Sequence, residues 1–345
     1  MKIEVRALEA GQEAAWEAFV SQKPNGASFY HRWGWRTVIE KTFGHRSHYL
    51  AVFTGTEISG VLPLTEMRST MFGHFLVSLP FFNYGGVAAK DAVSEQALLD
   101  AAAAIASKCG AKHVELRQAV ALQNPAWQLR QHKASLTIPL TQATAHWDGL
   151  SSRLRGKVRK AEKNEATFEV LGSQGLGPFY ELYSRNMRDL GTPVYSSALF
   201  ENVFSLAPQK ATVLLVRKQG QPAAAALALR EGSRIELPWI CQDYRASSAN
   251  VNEFLYWKSI EWACQEGAAE LDLGRSSIDA GTYRFKTQWN PQITLLNWYY
   301  WLAPGVTLPE LNPNNPKYAV MVKSWQKLPL PVANRIGPWI VRNIP

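Results

Sequence analysis

Apolar and polar residues alternate along this chain in two stretches that read alike. From His48 to Met67 the pattern predicts a strand (Tyr49–Phe53), a Thr-Gly-Thr-Glu turn and a second strand (Val61–Leu64). From Thr212 to Arg230 it predicts the same sequence of events: Val213–Val216, a Lys-Gln-Gly-Gln turn, then Ala223–Leu229. Downstream of each hairpin a helix ends on a glycine, Gly110 or Gly267, which supplies a left-handed C-cap. A short strand follows, in which Val114 and Leu116, or Leu271 and Leu273, alternate with charged positions. An internal repeat of this kind fixes the architecture ahead of any local motif.

A hairpin followed by a β-α-β unit, used twice, predicts an α/β fold made of a tandem of two acetyltransferase-like (GNAT-type) mixed-sheet domains. In such domains the sheet splays open to receive an acyl donor and an amine. The join is expected near Gln142 to Arg155, where the alternating residues Ser135–Leu140 give way to polar residues and then a helix. The expected organisation is an N-terminal domain over 1–148, a C-terminal domain over 149–303 and a tail over 304–345 that packs on the domains. With no Gly/Ser linker at the join, the halves are expected to share an interface.

Bulk composition narrows the class. With 345 residues and 46% hydrophobic content, each half can bury a core of its own. Charges in Met1–Arg6 stand where a signal peptide needs an apolar run, and no later stretch reaches the ~18 apolar residues of a membrane span. The expected location is therefore the cytoplasm. Cys109, Cys241 and Cys264 are odd in number and widely spaced, so neither a disulfide framework nor a metal site is indicated. A net charge of +9 favours an anionic partner such as tRNA, a phosphorylated precursor or the inner leaflet. Thirteen Trp and twelve Tyr are enough to line a cleft as well as to fill a core.

Candidate chemistry clusters in the second half. Arg153–Lys163 holds six basic residues and one acid in eleven positions. As a helix it buries Leu154, Val158 and Ala161 and leaves Arg153, Lys157, Lys160 and Lys163 wet, either as a solvated face or as an anion site. No RRM, KH or helix-turn-helix signature accompanies the run, which argues against DNA. A helix over Pro178–Leu190 carries Tyr183 and, near its end, Arg188, which can fork onto a phosphate or cap the last carbonyls. Asp272–Ser277 follows the second repeat's strand, and Gly281–Trp289 comes one turn later. Loops at the carboxyl ends of open α/β strands bind ligands, which makes Arg275, Tyr283 and Lys286 candidates. An ammonium at Lys286 would stabilise the oxyanion formed when an amine attacks an ester or thioester. Tyr256 joins Lys157 and Lys160 in the substrate-binding set. Arg217-Lys-Gln-Gly220 lies in the hairpin turn and lacks the helix N-terminus that a coenzyme A pyrophosphate loop needs. Signatures of serine, cysteine and zinc hydrolases are absent.

Taken in order, Arg155–Lys163, Phe179–Tyr183 with Arg188-Asp-Leu-Gly191, and Asp272-Leu-Gly274 with Phe285-Lys286 resemble the landmarks of the FemAB family, aminoacyl-tRNA-dependent ligases of peptidoglycan side chains. That resemblance implies catalysis at Lys286 and contact between Arg188 and the phosphates of a nucleotide-sugar precursor. Phe43–Arg46, Tyr84–Gly86, Leu190–Val194 and the tail stretches Asn312–Tyr318 and Leu328–Asn334 resemble the FemAB-like proteins of exosortase/PEP-CTERM and exopolysaccharide systems. The function expected is N-acyl transfer to an amine of a cell-envelope or exopolysaccharide precursor, with no bound cofactor and with aminoacyl-tRNA or acyl-CoA as donor. The alternative is a non-catalytic factor that binds a lipid-linked saccharide. The Pro329–Ile344 tail either packs on its own domain or touches the inner face of the cytoplasmic membrane.

Overall fold

The computed structural model describes residues 3–70, 72–123, 127–308 and 316–344. Two compact units emerge. The first comprises Met1–Lys133, Leu295–Leu311 and Arg342–Pro345, and the second Ala134–Thr294 and Asn312–Val341. The expected boundary at 148/149 falls inside the second unit, and most of the 304–345 tail groups with that unit. The landmark Asn312–Tyr318 lies partly outside the described residues.

In the first unit the elements are β1 (Ile3–Leu8), α1 (Glu13–Ser21), α2 (Gly34–Phe43), β2 (Arg46–Thr54), β3 (Glu57–Ser69), β4 (Gly73–Val77), β5 (Ala88–Ala89), α3 (Ala92–Cys109), β6 (His113–Gln118) and β7 (Gln128–Arg130). The chain then runs through β8 (Lys133–Pro139), α4 (Ala143–Gly149), α5 (Ser152–Lys163), β9 (Ala166–Leu171), α6 (Leu176–Asp189), α7 (Ser197–Leu206), β10 (Ala211–Lys218), β11 (Gln221–Glu231), β12 (Arg234–Gln242), α8 (Val251–Gln265), β13 (Glu270–Ser277), α9 (Gly281–Thr287) and β14 (Gln292–Leu295). β15 (Asn297–Leu302), α10 (Pro316–Gln326) and α11 (Leu330–Val341) complete it.

The sheets correspond strand for strand. One is ordered β1-β2-β3-β4-β6-β15-β7, with β5 beside β3, and the other β9-β10-β11-β12-β13-β8-β14. Each has an antiparallel hairpin (β2/β3, β10/β11) and a parallel pair joined through a helix (β4/β6 across α3, β12/β13 across α8). This is the mixed α/β GNAT-type architecture expected from the repeat. Gly110 and Gly267 take φ of +73° and +68°, the left-handed helix ends read from the sequence.

The sixth strand of each sheet is distant in the chain from the fifth: β15 enters the first sheet from beyond the whole second sheet, and β8, encoded just before β9, enters the second beside β13. β15, which follows β14, pairs with β6 and β7 in the first sheet. β8, which follows β7, lies between β13 and β14 in the second. Their side chains are core: Tyr299 is buried with Leu62, Leu76 and Leu116, and Leu136 with Leu214, Leu271 and Trp289.

These two placements give a test. Leu136→Ala should cost about 2–5 kcal/mol by cavity formation and accelerate amide exchange in β10–β13, while β2 and β3 keep their protection. Tyr299→Ala should do the reverse. Hydrogen-exchange mass spectrometry reads both outcomes.

Candidate active site

The second sheet opens where β12 and β13 part. These parallel strands pair over Arg234–Glu236 and Glu270–Asp272, and both continue beyond those pairs. Asp272 sits at the fork and is fully buried. Its carboxylate takes Nη2 of Arg234 at 2.6 Å, the backbone N–H of Gly274 at 2.8 Å and the Ser135 hydroxyl at 3.4 Å. A buried carboxylate is tolerable because it is paired and hydrogen-bonded in this way. Gly274 has φ of +74°, a conformation that suits glycine, and the strand path there turns two successive carbonyls toward α9.

Lys286 meets those carbonyls. Its Nζ donates to Gly274 O at 3.1 Å and Arg275 O at 3.2 Å, and the residue is only 8% exposed. An ammonium carries three N–H donors, so one remains beyond these two bonds. Behind it, Tyr256 of α8 stacks on Trp289 with ring centres 5.7 Å apart and meets Phe285 edge-on at 5.0 Å. This aromatic wedge fixes the short helix α9, so that Lys286 faces the strand. Burial pushes the lysine from its ordinary 10.5 to about 8. Asp272 and Glu236 counter that shift, and Arg275 adds to it.

The other expected site residues divide. Arg275 meets Lys286 through its carbonyl, and Tyr283 packs part-buried on the same core. Tyr256 is a buried support beneath α9. Tyr183 is buried on α6 against Phe200, with its hydroxyl held well above the usual range by burial first and by neighbouring Tyr195 and Cys241 next. Arg188 bonds Asp189 at 2.6 Å and the Leu328 carbonyl at 3.2 Å, and among the described residues it shares no hydrogen bond with Lys286. On α5, Leu154, Val158 and Ala161 are buried as the periodicity requires. Lys157 is not simply wet: it pairs with Glu253 at 2.8 Å, while Lys160 is exposed. Arg217 is tied to Glu169 beside the hairpin turn.

Sequence reading missed Asp272, Arg234 and Glu236 as site-forming groups. Alternation made Asp272 an outward-facing charge, whereas a central strand covered on both faces buries Leu271, Asp272, Leu273 and Gly274 alike. An acid within an otherwise apolar central strand was the available signal.

In the first unit the equivalent fork is filled by its own chain. β4 and β6 pair at Leu76/Val114 and Val77/Glu115, after which Ser78 N bonds Glu115 O at 2.8 Å and Gly85 N bonds Arg117 O at 3.0 Å. A Cβ on Gly86 would strike the Gln118 side chain. Fully buried His31 pins this loop, with Nε2 3.0 Å from Gly86 O and Nδ1 accepting from Ser28 N at 3.1 Å. Burial takes its pKa down to about 4, so the ring is neutral at pH 7. Elsewhere in this unit, Glu66, His74 and Cys109 form the one group of potential metal ligands among the described residues. Glu66 already bonds His48, His74 and Arg68, so its charge is met by protein groups.

Residues 150–287, from just before α5 to the end of α9, match a family model described as an acetyltransferase (GNAT) domain. No curated protein matches the sequence. Among solved structures, FemX is similar with a TM-score of 0.63 at 15% identity, over 92% of this chain and 100% of that one. L-PGS from Bacillus licheniformis gives 0.55 at 11% identity, over 93% and 100%. A tandem GNAT protein from the clavulanic acid biosynthesis pathway gives 0.55 at 11%, over 89% and 100%. At such identities the likeness is one of fold, an acyltransferase-like mixed α/β fold.

The buried lysine makes stability depend on pH. Between about pH 8 and 10.5 the unfolded chain holds the Lys286 proton and the folded chain does not, so folding becomes more favourable as pH rises through that window. Wild type should therefore gain on Lys286→Met by on the order of 3 kcal/mol from pH 7 to 10.5. Urea unfolding of both proteins at intervals of one pH unit checks this; a constant difference would contradict it.

Proposed function

We propose that the protein is an N-acyltransferase of FemAB-like type that moves an acyl or aminoacyl group onto an amine of a cell-envelope or exopolysaccharide precursor, with acyl-CoA or aminoacyl-tRNA as donor. The observation that carries this reading is Lys286, a buried ammonium held by two carbonyls at the open fork of a GNAT-type sheet. The matching acetyltransferase domain model supports it, since the match ends just past this lysine. The FemX-like fold supports the choice of a Fem-type acceptor. The link to exosortase and exopolysaccharide systems rests on the sequence landmarks.

In the reaction, the acceptor nitrogen adds to the donor carbonyl, the C–S or C–O bond to the donor breaks, and the amine's proton leaves with the thiol or hydroxyl. Charge builds on the carbonyl oxygen during addition. The remaining N–H of Lys286 would meet it in a water-poor setting, where such a donor acts most strongly. Both substrates bound at one fork also gain from proximity. Lys160 and the rest of the α5 basic face supply attraction for a phosphorylated or polyanionic substrate. A peripheral position at the inner face of the membrane belongs to the same reading.

Incubation of the protein with isotope-labelled acyl-CoA or aminoacyl-tRNA and an extract of saccharide precursors tests the class; the precursor should gain one acyl mass. Lys286→Met should lower turnover by roughly 10²–10³ while leaving substrate affinity nearly unchanged. In wild type, kcat/KM should fall as pH rises through about 8, where the ammonium is lost, and the variant should lack that limb. A profile that instead climbs through pH 8 would make Lys286 a base and overturn the oxyanion role. Lys160→Glu should weaken binding of the phosphorylated substrate in a salt-dependent way with little effect on stability, read by titration calorimetry at two salt concentrations.

A further inference from the structure

We infer that the exposed face of α10 and α11 is a docking surface for anionic phospholipid headgroups. The inference rests on the membrane-side position in the proposed function and gives that position a surface and a lipid class.

α11 is two-faced. Ala333, Gly337 and Val341 are buried, and at Gly337 the helix lies so close to the chain that an added Cβ would stand 3.0 Å from Val194 N. On the other side, Val332, Ile336 and Trp339 follow at i, i+4 and i+7 and are 43%, 38% and 69% exposed. α10 leaves Val320 and Met321 exposed, while Val322 meets Gly191. Both helices are thus already anchored to their own unit through Ala333, Gly337 and Val341 of α11 and Val322 of α10.

Charge selects the occupant. From Leu311 to Pro345 the sequence has five Lys or Arg and no Asp or Glu. Arg335 lies exposed on the α11 face beside Val332 and Trp339, and Lys323 and Lys327 are exposed on and just after α10. A protein partner would need an acidic, apolar surface of matching outline. An anionic bilayer interface offers negative headgroups above acyl carbon at any point, and a short helix with Trp, Ile and Val flanked by cations lies in such an interface. No helix among the described residues is long and apolar enough to cross a membrane, so the contact is peripheral.

The test is sedimentation of the full chain with vesicles of phosphatidylcholine alone and of phosphatidylcholine with phosphatidylglycerol. Binding should appear with the anionic vesicles and weaken as salt is raised. Val332→Ser/Ile336→Ser/Trp339→Ser, all at exposed sites, should lose about tenfold or more in vesicle affinity. Lys323→Glu/Lys327→Glu/Arg335→Glu should lose as much and remove the salt dependence. Circular dichroism and urea midpoints should match wild type. Equal binding to neutral and anionic vesicles, or triple-serine binding as tight as wild type, would overturn the inference. So would self-association that the triple-serine variant abolishes, since a second copy would then cover the face. Lys286→Met should sediment with vesicles like wild type. Vesicle binding without acyl transfer would defeat only the enzymatic reading, and transfer without vesicle binding only this one.

Discussion

The Asp272 carboxylate is the constraint on which the second unit's geometry depends. It draws Arg234 from β12, the N–H of Gly274 from its own strand and Ser135 from β8 into one buried knot. Each bond does more than neutralise a charge. The Arg234 pair holds β12 against β13 at the last register pairs before they part, and the Gly274 bond shapes the turn that aims two carbonyls at Lys286. The negative charge also keeps the lysine more basic than burial alone would leave it. A single acid thus sets where the sheet opens, how the strand bends and how readily the ammonium survives near neutrality.

Ser135 reaches that knot because β8, the first strand of its sheet in the chain, is placed beside β13. β8 is encoded directly after the first unit's β7 yet lies beside β13, and β15 is encoded after β14 yet lies beside β6. The first sheet is thus completed by a strand from beyond the second, whereas the second is built from one uninterrupted run, β8–β14, whose first strand is placed near its far edge.

Although the sheets match strand for strand, the two forks differ in what fills them. In the first unit, the Ser78–Gly86 segment bonds into the opening and neutral His31 holds it there. In the second, the opening meets a lysine on a short helix wedged by Tyr256, Phe285 and Trp289. The repeat therefore supplies one scaffold twice and places the candidate chemistry in one copy, which is also the part matched by the acetyltransferase domain model.

By itself the sequence determined the repeated hairpin and β-α-β order, the glycine helix ends and the buried stripe of α5. These are local properties: alternation, helical spacing and a left-handed cap depend on neighbours a few residues away. Tertiary structure alone decided that β15 lies beside β6 and β8 beside β13, because pairing across more than a hundred residues leaves no periodic trace. It decided that Asp272 is buried, since burial on both faces of a central strand cannot be told from exposure by alternation. Lys157 turned toward Glu253 and Arg188 toward Leu328 for the same reason, as partners distant in the chain claimed charges that local spacing had left to solvent or ligand. The sequence put Lys286 forward only through its place after the second repeat's strand and its family resemblance; its environment, which lowers its proton affinity and directs its N–H bonds, came from the packing around it.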